Sequence, residues 1–183
     1  MQVAIPKFND CKSQLRTSLR GMLRASQPSS RLVCDALDRW LANQHGLRTI
    51  AVYAALPGEV DLSEFVARHP ERCWVYPRVD GDELTFHAVG VPATELTAGA
   101  FGIREPVIEL VATAVELVDA FLCPGLAFDD NGGRLGRGRG FYDRVLSRVR
   151  PGVLKVGVCF ALQIVPDTFS ESHDVRMDAI ICA

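Results

Sequence analysis

The stretch Pro124–Leu146, PGLAFDDNGGRLGRGRGFYDRVL, decides how the rest of the chain is read. It interleaves Gly132, Gly133, Gly136, Gly138 and Gly140 with Arg134, Arg137, Arg139 and Arg144, after two acids and with Asp143 inside. Glycine reaches positive φ and lets backbone N–H groups curl toward a ligand. Arginine carries a permanently charged planar fork that matches phosphate oxygens. Upstream, Leu117–Cys123 reads as a strand with one acid, Asp119, inside it. Downstream, Val145, Leu146 and Val149 share a helical face that stops at Pro151-Gly152. Glycine donors, arginines and a helix N-terminus then converge on one place, which is how proteins bind phosphate. The stretch is read as an anion-binding loop for a nucleotide.

Helical and strand patterns alternate outward from it. Residues 9–26 read as a helix capped by Asn9 or Asp10, with Leu15, Leu19, Met22 and Leu23 at helical spacing. Lys12, Arg16 and Arg20 lie four apart and share one face, a solvated basic stripe unless an anion sits there. A second helix runs from about Pro28 to Gln44 and ends at Gly46. Thr49–Ala55 is a buried-strand pattern leading to the turn Leu56-Pro57-Gly58 and to Glu59, at the carboxyl end of a strand, where open α/β sheets place ligands. Asp61 caps a short helix through Ala67. Cys73–Pro77 and Leu84–Ala88 are strands joined by Asp80-Gly81-Asp82, with antiparallel pairing expected. Residues 90–108 are irregular, with Phe101–Pro106 as a structured loop. Leu154–Phe160 is a buried strand, Ala161–Val165 one helical turn, and Met177–Cys182 the last strand, immediately after His173-Asp174. This alternation predicts one α/β domain over residues 1–183 with a largely parallel central sheet.

Composition narrows the function. A net charge of −2 argues against a general nucleic-acid or membrane-surface protein, whose footprint is globally basic. Basicity is local instead. With three lysines among 20 positive residues, seventeen are arginine. No apolar run spans a bilayer and MQVAIPKFNDCK lacks a signal-peptide core, so a cytoplasmic protein without membrane or nucleic-acid partners is expected. The six cysteines (11, 34, 73, 123, 159, 182) form neither CxxC nor a Cys/His cluster and read as reduced, buried residues. Standard phosphate templates fail. Gly133 and Gly138 have P-loop spacing, but Arg139-Gly140 stands where Lys-[Ser/Thr] is required, and Phe141 replaces the third glycine of GxGxxG. Neither GxSxG nor HExxH occurs. RGRG also occurs in RNA-binding segments, which are usually repetitive and disordered, whereas this run lies between a strand and a helix.

These residues identify a family. The stretch resembles the signature PGxAFDxxGxRLGxGxGYYDRxL of the 5-formyltetrahydrofolate cyclo-ligases (methenyltetrahydrofolate synthetases). The likeness continues in order through the KxxLR of Lys12–Arg16, the strand-then-Glu element Tyr53–Val60 and Phe101–Pro106. It ends with the GVxFxxQ-like Gly157–Gln163 and the HDVxMDxI-like tail His173–Ile180.

The resemblance implies a three-layer α/β/α, Rossmann-like domain, working as a monomer. It also implies an ATP- and Mg²⁺-dependent enzyme that closes 5-formyltetrahydrofolate to 5,10-methenyltetrahydrofolate with release of ADP and phosphate. The formyl oxygen attacks the γ-phosphate and N10 then closes the ring, so the protein supplies positioning and charge rather than a nucleophile. Carried over by likeness, Lys12, Arg16 and the run Arg134, Leu135, Gly136, Arg137, Gly138, Arg139, Gly140, Phe141 and Tyr142 bind ATP. Arg137 and Arg139 lie nearest the transferred group. Glu59 holds the formyl end of the folate, with Ala54, Phe101 and Tyr142 as further substrate contacts. Asp143 and Asp178 would bind Mg²⁺. Arg139 and Phe141 depart from the more common Lys and Tyr. Two other readings stay open: a relative that binds nucleotide or RNA without ligase activity, and an ATP-using enzyme for another N-formyl compound.

Overall fold

The computed structural model describes residues 11–26 and 28–183. Its first half carries helices α1 (Lys12–Ser26) and α2 (Arg31–Ala42), strand β1 (Thr49–Ala51), helix α3 (Ser63–Arg68), strands β2 (Cys73–Asp80) and β3 (Glu83–Ala88), and helix α4 (Pro92–Glu95). The short strands β4 (Leu96–Ala98), β5 (Arg104–Pro106) and β6 (Ala112–Thr113) follow. The second half holds β7 (Ala120–Pro124), β8 (Ala127–Phe128), β9 (Arg134–Leu135), α5 (Phe141–Leu146), β10 (Leu154–Cys159) and β11 (Ala179–Cys182). Seven strands make one sheet in the order β11-β10-β7-β1-β2-β3-β6. The five from β11 to β2 run parallel, and β3 and β6 are antiparallel to their neighbours.

The sheet sits between two apolar layers because each strand alternates its side chains with period two. Ile50, Val52, Leu122, Val156 and Val158 face one way, onto Val33, Leu37 and Leu41 of α2 and Phe65 of α3. Ala51, Phe121, Cys123 and Cys159 face the other way, onto Val145 and Leu146 of α5 and Met177. The outcome is the three-layer α/β/α arrangement with a mostly parallel sheet. Helix α1 stands beside this frame. Leu15 and Leu19, four apart on one helical face, are fully buried against Ala127, Leu135 and Val165. Each contributes roughly 2 kcal/mol of burial, which holds the adjacent basic stripe of α1 against the glycine loop, where Arg16 donates to the Gly136 carbonyl. The caps expected at Asn9 or Asp10 lie outside the described residues.

Several elements are shorter than their patterns predict. β1 ends at Ala51 rather than Ala55, since the chain leaves the sheet there and forms one wall of a cleft. β7 begins at Ala120, not Leu117, which is exposed as the last residue of a 3₁₀ turn over Val115–Leu117. Asp119 therefore precedes the strand. Its carboxylate accepts N–H bonds from Arg48 (2.8 Å) and Thr49 (3.0 Å) and ties β7 to the start of β1. Three cysteines, Cys34, Cys123 and Cys159, are core residues as expected, but Cys73 and Cys182 are exposed at strand ends. Among the described residues no helix is long and apolar enough to cross a membrane.

Candidate functional site

From β1 the chain moves one way to β2 and β3, then returns to the other side of β1 to lay down β7. The strand order therefore reverses between β1 and β7. A crevice outside the carboxyl ends of such a strand pair is where open α/β sheets bind ligands. A cleft of about 1220 Å³ opens there, lined by Tyr53 and Ala54 beyond β1, by Pro124 at the end of β7 and by Gly125 just after it.

The glycine/arginine stretch supplies one wall, and it divides into two parts with different tasks. Asp129, buried, accepts N–H bonds from Asn131 (3.0 Å), Gly133 (2.9 Å) and Thr168 (3.0 Å), and the Thr168 hydroxyl donates to it at 2.5 Å. Gly133 leaves room for this knot. A Cβ there would fall 2.2 Å from both Asp129 Oδ2 and Thr168 Oγ1. Gly132 packs against the Met177 carbonyl, so both glycines serve folding and do not line the cleft, contrary to one continuous cradle. The cleft wall is Arg134–Asp143. Gly138 (φ +105°) and Gly140 (φ +68°) hold left-handed backbone that a side chain would strain. The helix that follows, α5, has six residues, so the predicted helix N-terminus adds little.

The cations expected at phosphates converge on this wall, and in the free protein most are held. Lys12 Nζ lies 2.6 Å from Asp174 Oδ2 and 2.8 Å from Glu171 Oε1. Burial alone would lower the Lys12 pKa and raise that of Asp174. Their mutual pairing, helped by Glu171, outweighs it and keeps both charged. Arg16 donates to the Gly136 carbonyl at 2.9 Å. Arg134, with a side chain only 4% exposed, pairs with Asp143 Oδ1 at 2.9 Å and lies over the Tyr142 ring. Arg137 Nε meets Glu59 Oε1 at 2.8 Å, while Glu59 Oε2 accepts the Leu56 N–H at 2.9 Å. Arg139 stacks on Phe101, its guanidinium 4.6 Å from the ring centroid. Phe101 and Phe141 stand 6.2 Å apart at the mouth, and Phe101 holds φ +58°. Leu135 is the one member of the run whose side chain belongs to the core.

Asp178 is not among the cleft residues. It precedes β11 at the amino end of the parallel strands, accepts the Lys155 N–H at 2.8 Å and pairs with Lys155 Nζ at 3.0 Å. The cleft opens at the opposite, carboxyl end. The acids the tail does bring to the cleft are Glu171 and Asp174, which sequence reading passed over although His173-Asp174 was in view. Tyr53 and Glu105 were also missed as site residues, although both lie in stretches that carry the resemblance, Tyr53–Val60 and Phe101–Pro106.

Polarity in the cleft is left unsatisfied in a telling way. Among the described residues, four buried side-chain atoms lack a hydrogen-bond partner: Tyr53 Oη, Tyr142 Oη, Glu105 Oε1 and Arg134 Nε. All four belong to residues lining this cleft. An unmade buried hydrogen bond costs about 1–3 kcal/mol, so their concentration at one place marks a site that a ligand completes. Burial pushes both tyrosine hydroxyls well above their ordinary pKa, keeping them protonated donors.

Comparison with known proteins agrees with this geometry. The profile of the 5-formyltetrahydrofolate cyclo-ligase family matches residues 9–183. A 5-formyltetrahydrofolate cyclo-ligase of Mycolicibacterium smegmatis is 31% identical over 185 residues, covering 93% of this chain and 92% of the relative. That of Mus musculus is 27% identical over 199 residues, covering 98% and 97%. The solved 5,10-methenyltetrahydrofolate synthetase of Aquifex aeolicus superposes with a TM-score of 0.79 at 33% identity, covering 93% of this chain and 89% of that one. The synthetase of Mycoplasma pneumoniae reaches 0.75 at 25% identity, covering 93% and 97%. A profile match over nearly the whole length, joined to a cleft at the β1/β7 reversal built from the same signature residues, places this chain in the 5-formyltetrahydrofolate cyclo-ligase family of enzymes.

Proposed function

We propose that the chain converts 5-formyltetrahydrofolate to 5,10-methenyltetrahydrofolate at the expense of ATP, with Mg²⁺, releasing ADP and phosphate. The observation that carries the reading is the set of four unpartnered buried atoms in one cleft, whose other wall gathers five cations around a glycine turn. The division of labour follows from charge. Lys12, Arg16, Arg134, Arg137 and Arg139 with the backbone of Gly136–Gly140 hold the triphosphate. Glu59, Phe101, Ala54 and Tyr142 hold the folate.

The residues present fit a hard dication. Asp143 presents its second oxygen beside Arg134, and the tail acid Asp174 reaches the same cleft, with the Val175 N–H 3.5 Å from Asp143 Oδ1. Mg²⁺ needs only one or two carboxylates when phosphates and waters complete its shell. When bound it offsets charge on the transferred phosphoryl group. Asp174 takes the role expected of Asp178.

Chemistry then needs no protein nucleophile. The formyl oxygen attacks the γ-phosphorus as the bond to ADP breaks. N10 next attacks the activated formyl carbon, and the C–O bond to phosphate breaks with loss of the N10 proton. The chain contributes alignment and fixed positive charge, and each well-placed donor on developing charge is worth about 10²–10³ in rate.

The deciding experiment follows the near-ultraviolet absorbance of the methenyl product. Growth of the band only with both ATP and Mg²⁺ supports the proposal. Tight nucleotide binding without the band would shift the reading to a relative using another N-formyl compound or to a binding role.

A further inference from the structure

Glu105 is nine-tenths buried, lines the cleft and is used by nothing described so far. Its carboxyl accepts no hydrogen bond and pairs with no cation among the described residues. The fold makes room for it deliberately. A Cβ on Gly99 would fall 2.4 Å from the Glu105 Cδ, while φ of −117° at Gly99 is open to any residue. Gly99 is therefore glycine for space, and the space holds this carboxyl group. The β4–β5 hairpin fixes it further, with Thr97 opposite Glu105 and the Gly99 N–H bonded to the Ile103 carbonyl at 2.8 Å.

A buried acceptor with nothing to accept awaits a donor. The neighbouring lining describes that donor's carrier. Ile103, Pro77, Val79 and Leu84 are apolar, with Phe101 at the mouth, which suits a flat ring system and repels phosphate. A carboxylate binds best to two parallel N–H groups. Together these ask for an aromatic heterocycle with an amino group beside a ring N–H.

Resting on the proposed folate chemistry, we infer that Glu105 recognises the 2-amino and N3–H edge of the substrate's 2-amino-4-oxopyrimidine ring. This places the heterocycle on the β2–β5 side of the cleft and the formyl group toward Glu59 and Arg137. Glu105 is a specificity-determining residue and touches none of the reacting atoms.

The test is calorimetric binding of 5-formyltetrahydrofolate, its 2-desamino analogue and ADP to wild type and Glu105→Gln. Losing a charge-assisted pair weakens 5-formyltetrahydrofolate binding by about 10- to 100-fold. ADP affinity stays unchanged, and the desamino analogue binds both proteins equally weakly. The Tm without ligand stays level or rises, because an unpaired buried carboxyl is replaced by a neutral amide. Glu105→Asp, which withdraws the carboxyl without removing it, gives an intermediate loss. Weakened ADP binding would assign the carboxyl to the nucleotide base and overturn the inference. So would equal losses for both folate forms, or no loss at all. Wild type that binds no 5-formyltetrahydrofolate would overturn the proposed function as well. Wild type that binds it no better than Glu105→Gln would overturn this inference alone.

Discussion

The Arg137–Glu59 pair joins the two halves of the cleft, and breaking it from the Glu59 side separates their roles. Nucleotide phosphates that take Arg137 must first draw it off the Glu59 carboxylate, 2.8 Å away. The Glu59 side chain is 8% exposed but Arg137 is 34% exposed, so solvent screens the pair. Its contribution is then about 1 kcal/mol, the upper end for exposed pairs and well below that of a fully buried one. Glu59→Gln keeps an oxygen that can accept the Leu56 N–H and removes the charge that competes for Arg137. A non-hydrolysable ATP analogue should therefore bind as tightly as to wild type, or up to about fivefold more tightly. The Tm should move by no more than ~4 °C, while folate turnover should collapse. Calorimetry with the non-hydrolysable ATP analogue, in wild type and in the Arg137→Ala background, provides the measurement. Any gain should vanish once Arg137 is absent. A fivefold or larger loss of affinity for the analogue would refute the reasoning, for it would mean that Glu59 holds Arg137 in its phosphate-binding pose.

Other consequences can be read out independently. Asp143→Asn leaves the nearly buried Arg134 without a carboxylate partner. It should lower stability by about 2 kcal/mol, or ~4–8 °C in Tm, and raise the Mg²⁺ concentration needed for turnover. An unchanged Mg²⁺ titration would exclude Asp143 as a ligand. His87 is fully buried, between the Thr85 hydroxyl (2.9 Å) and the Leu110 carbonyl (2.8 Å). Burial, with Arg78 nearby, holds its pKa below the ordinary 6.5. The unfolded chain therefore binds this proton more readily than the folded one. Stability is present above pH 6.5 and is lost as pH falls from there through the lowered folded value. His87→Gln should flatten a plot of Tm against pH over that window, and an unaltered slope would clear His87 of the effect. Gly133→Ala should cost about 3 kcal/mol, roughly 6–12 °C of Tm, by forcing Asp129 off Thr168. A Tm within a degree or two of wild type would show that the Asp129 knot can relax around a methyl group.

Much of this architecture was legible along the chain because it rests on local rules. The continuous apolar run Ile50, Ala51 and Val52 encodes a strand buried on both faces. The four-residue spacing of Leu15 and Leu19 encodes a helix with one buried face, and with it the common face of Lys12 and Arg16. The antiparallel pairing of β2 and β3 follows from the short turn at Asp80-Gly81-Asp82. Glycines alternating with arginines after a strand point by composition to an anion-binding loop, since they combine backbone freedom with fixed positive charge, and the proposed function rests on that reading.

What the chain could not disclose is what depends on residues far apart in sequence. A glycine carries no sign of whether it gives a cleft wall its left-handed backbone, as Gly138 and Gly140 do, or makes room for a neighbour's side chain, as Gly133 and Gly99 do. That distinction exists only once Asp129, Thr168 and Glu105 are packed. Two acids of one tail, Asp174 and Asp178, look alike in sequence. The parallel register of β10 and β11 sends Asp178 to the amino end of the sheet, beside Lys155, and leaves Asp174 at the cleft beside Lys12. The sequence by itself determined the layers, the long sheet strands and the charge of the loop, because periodicity and side-chain type are local properties. Only the tertiary structure decided which charges face one another and which buried groups await a ligand, because pairing and burial arise between segments that packing brings together.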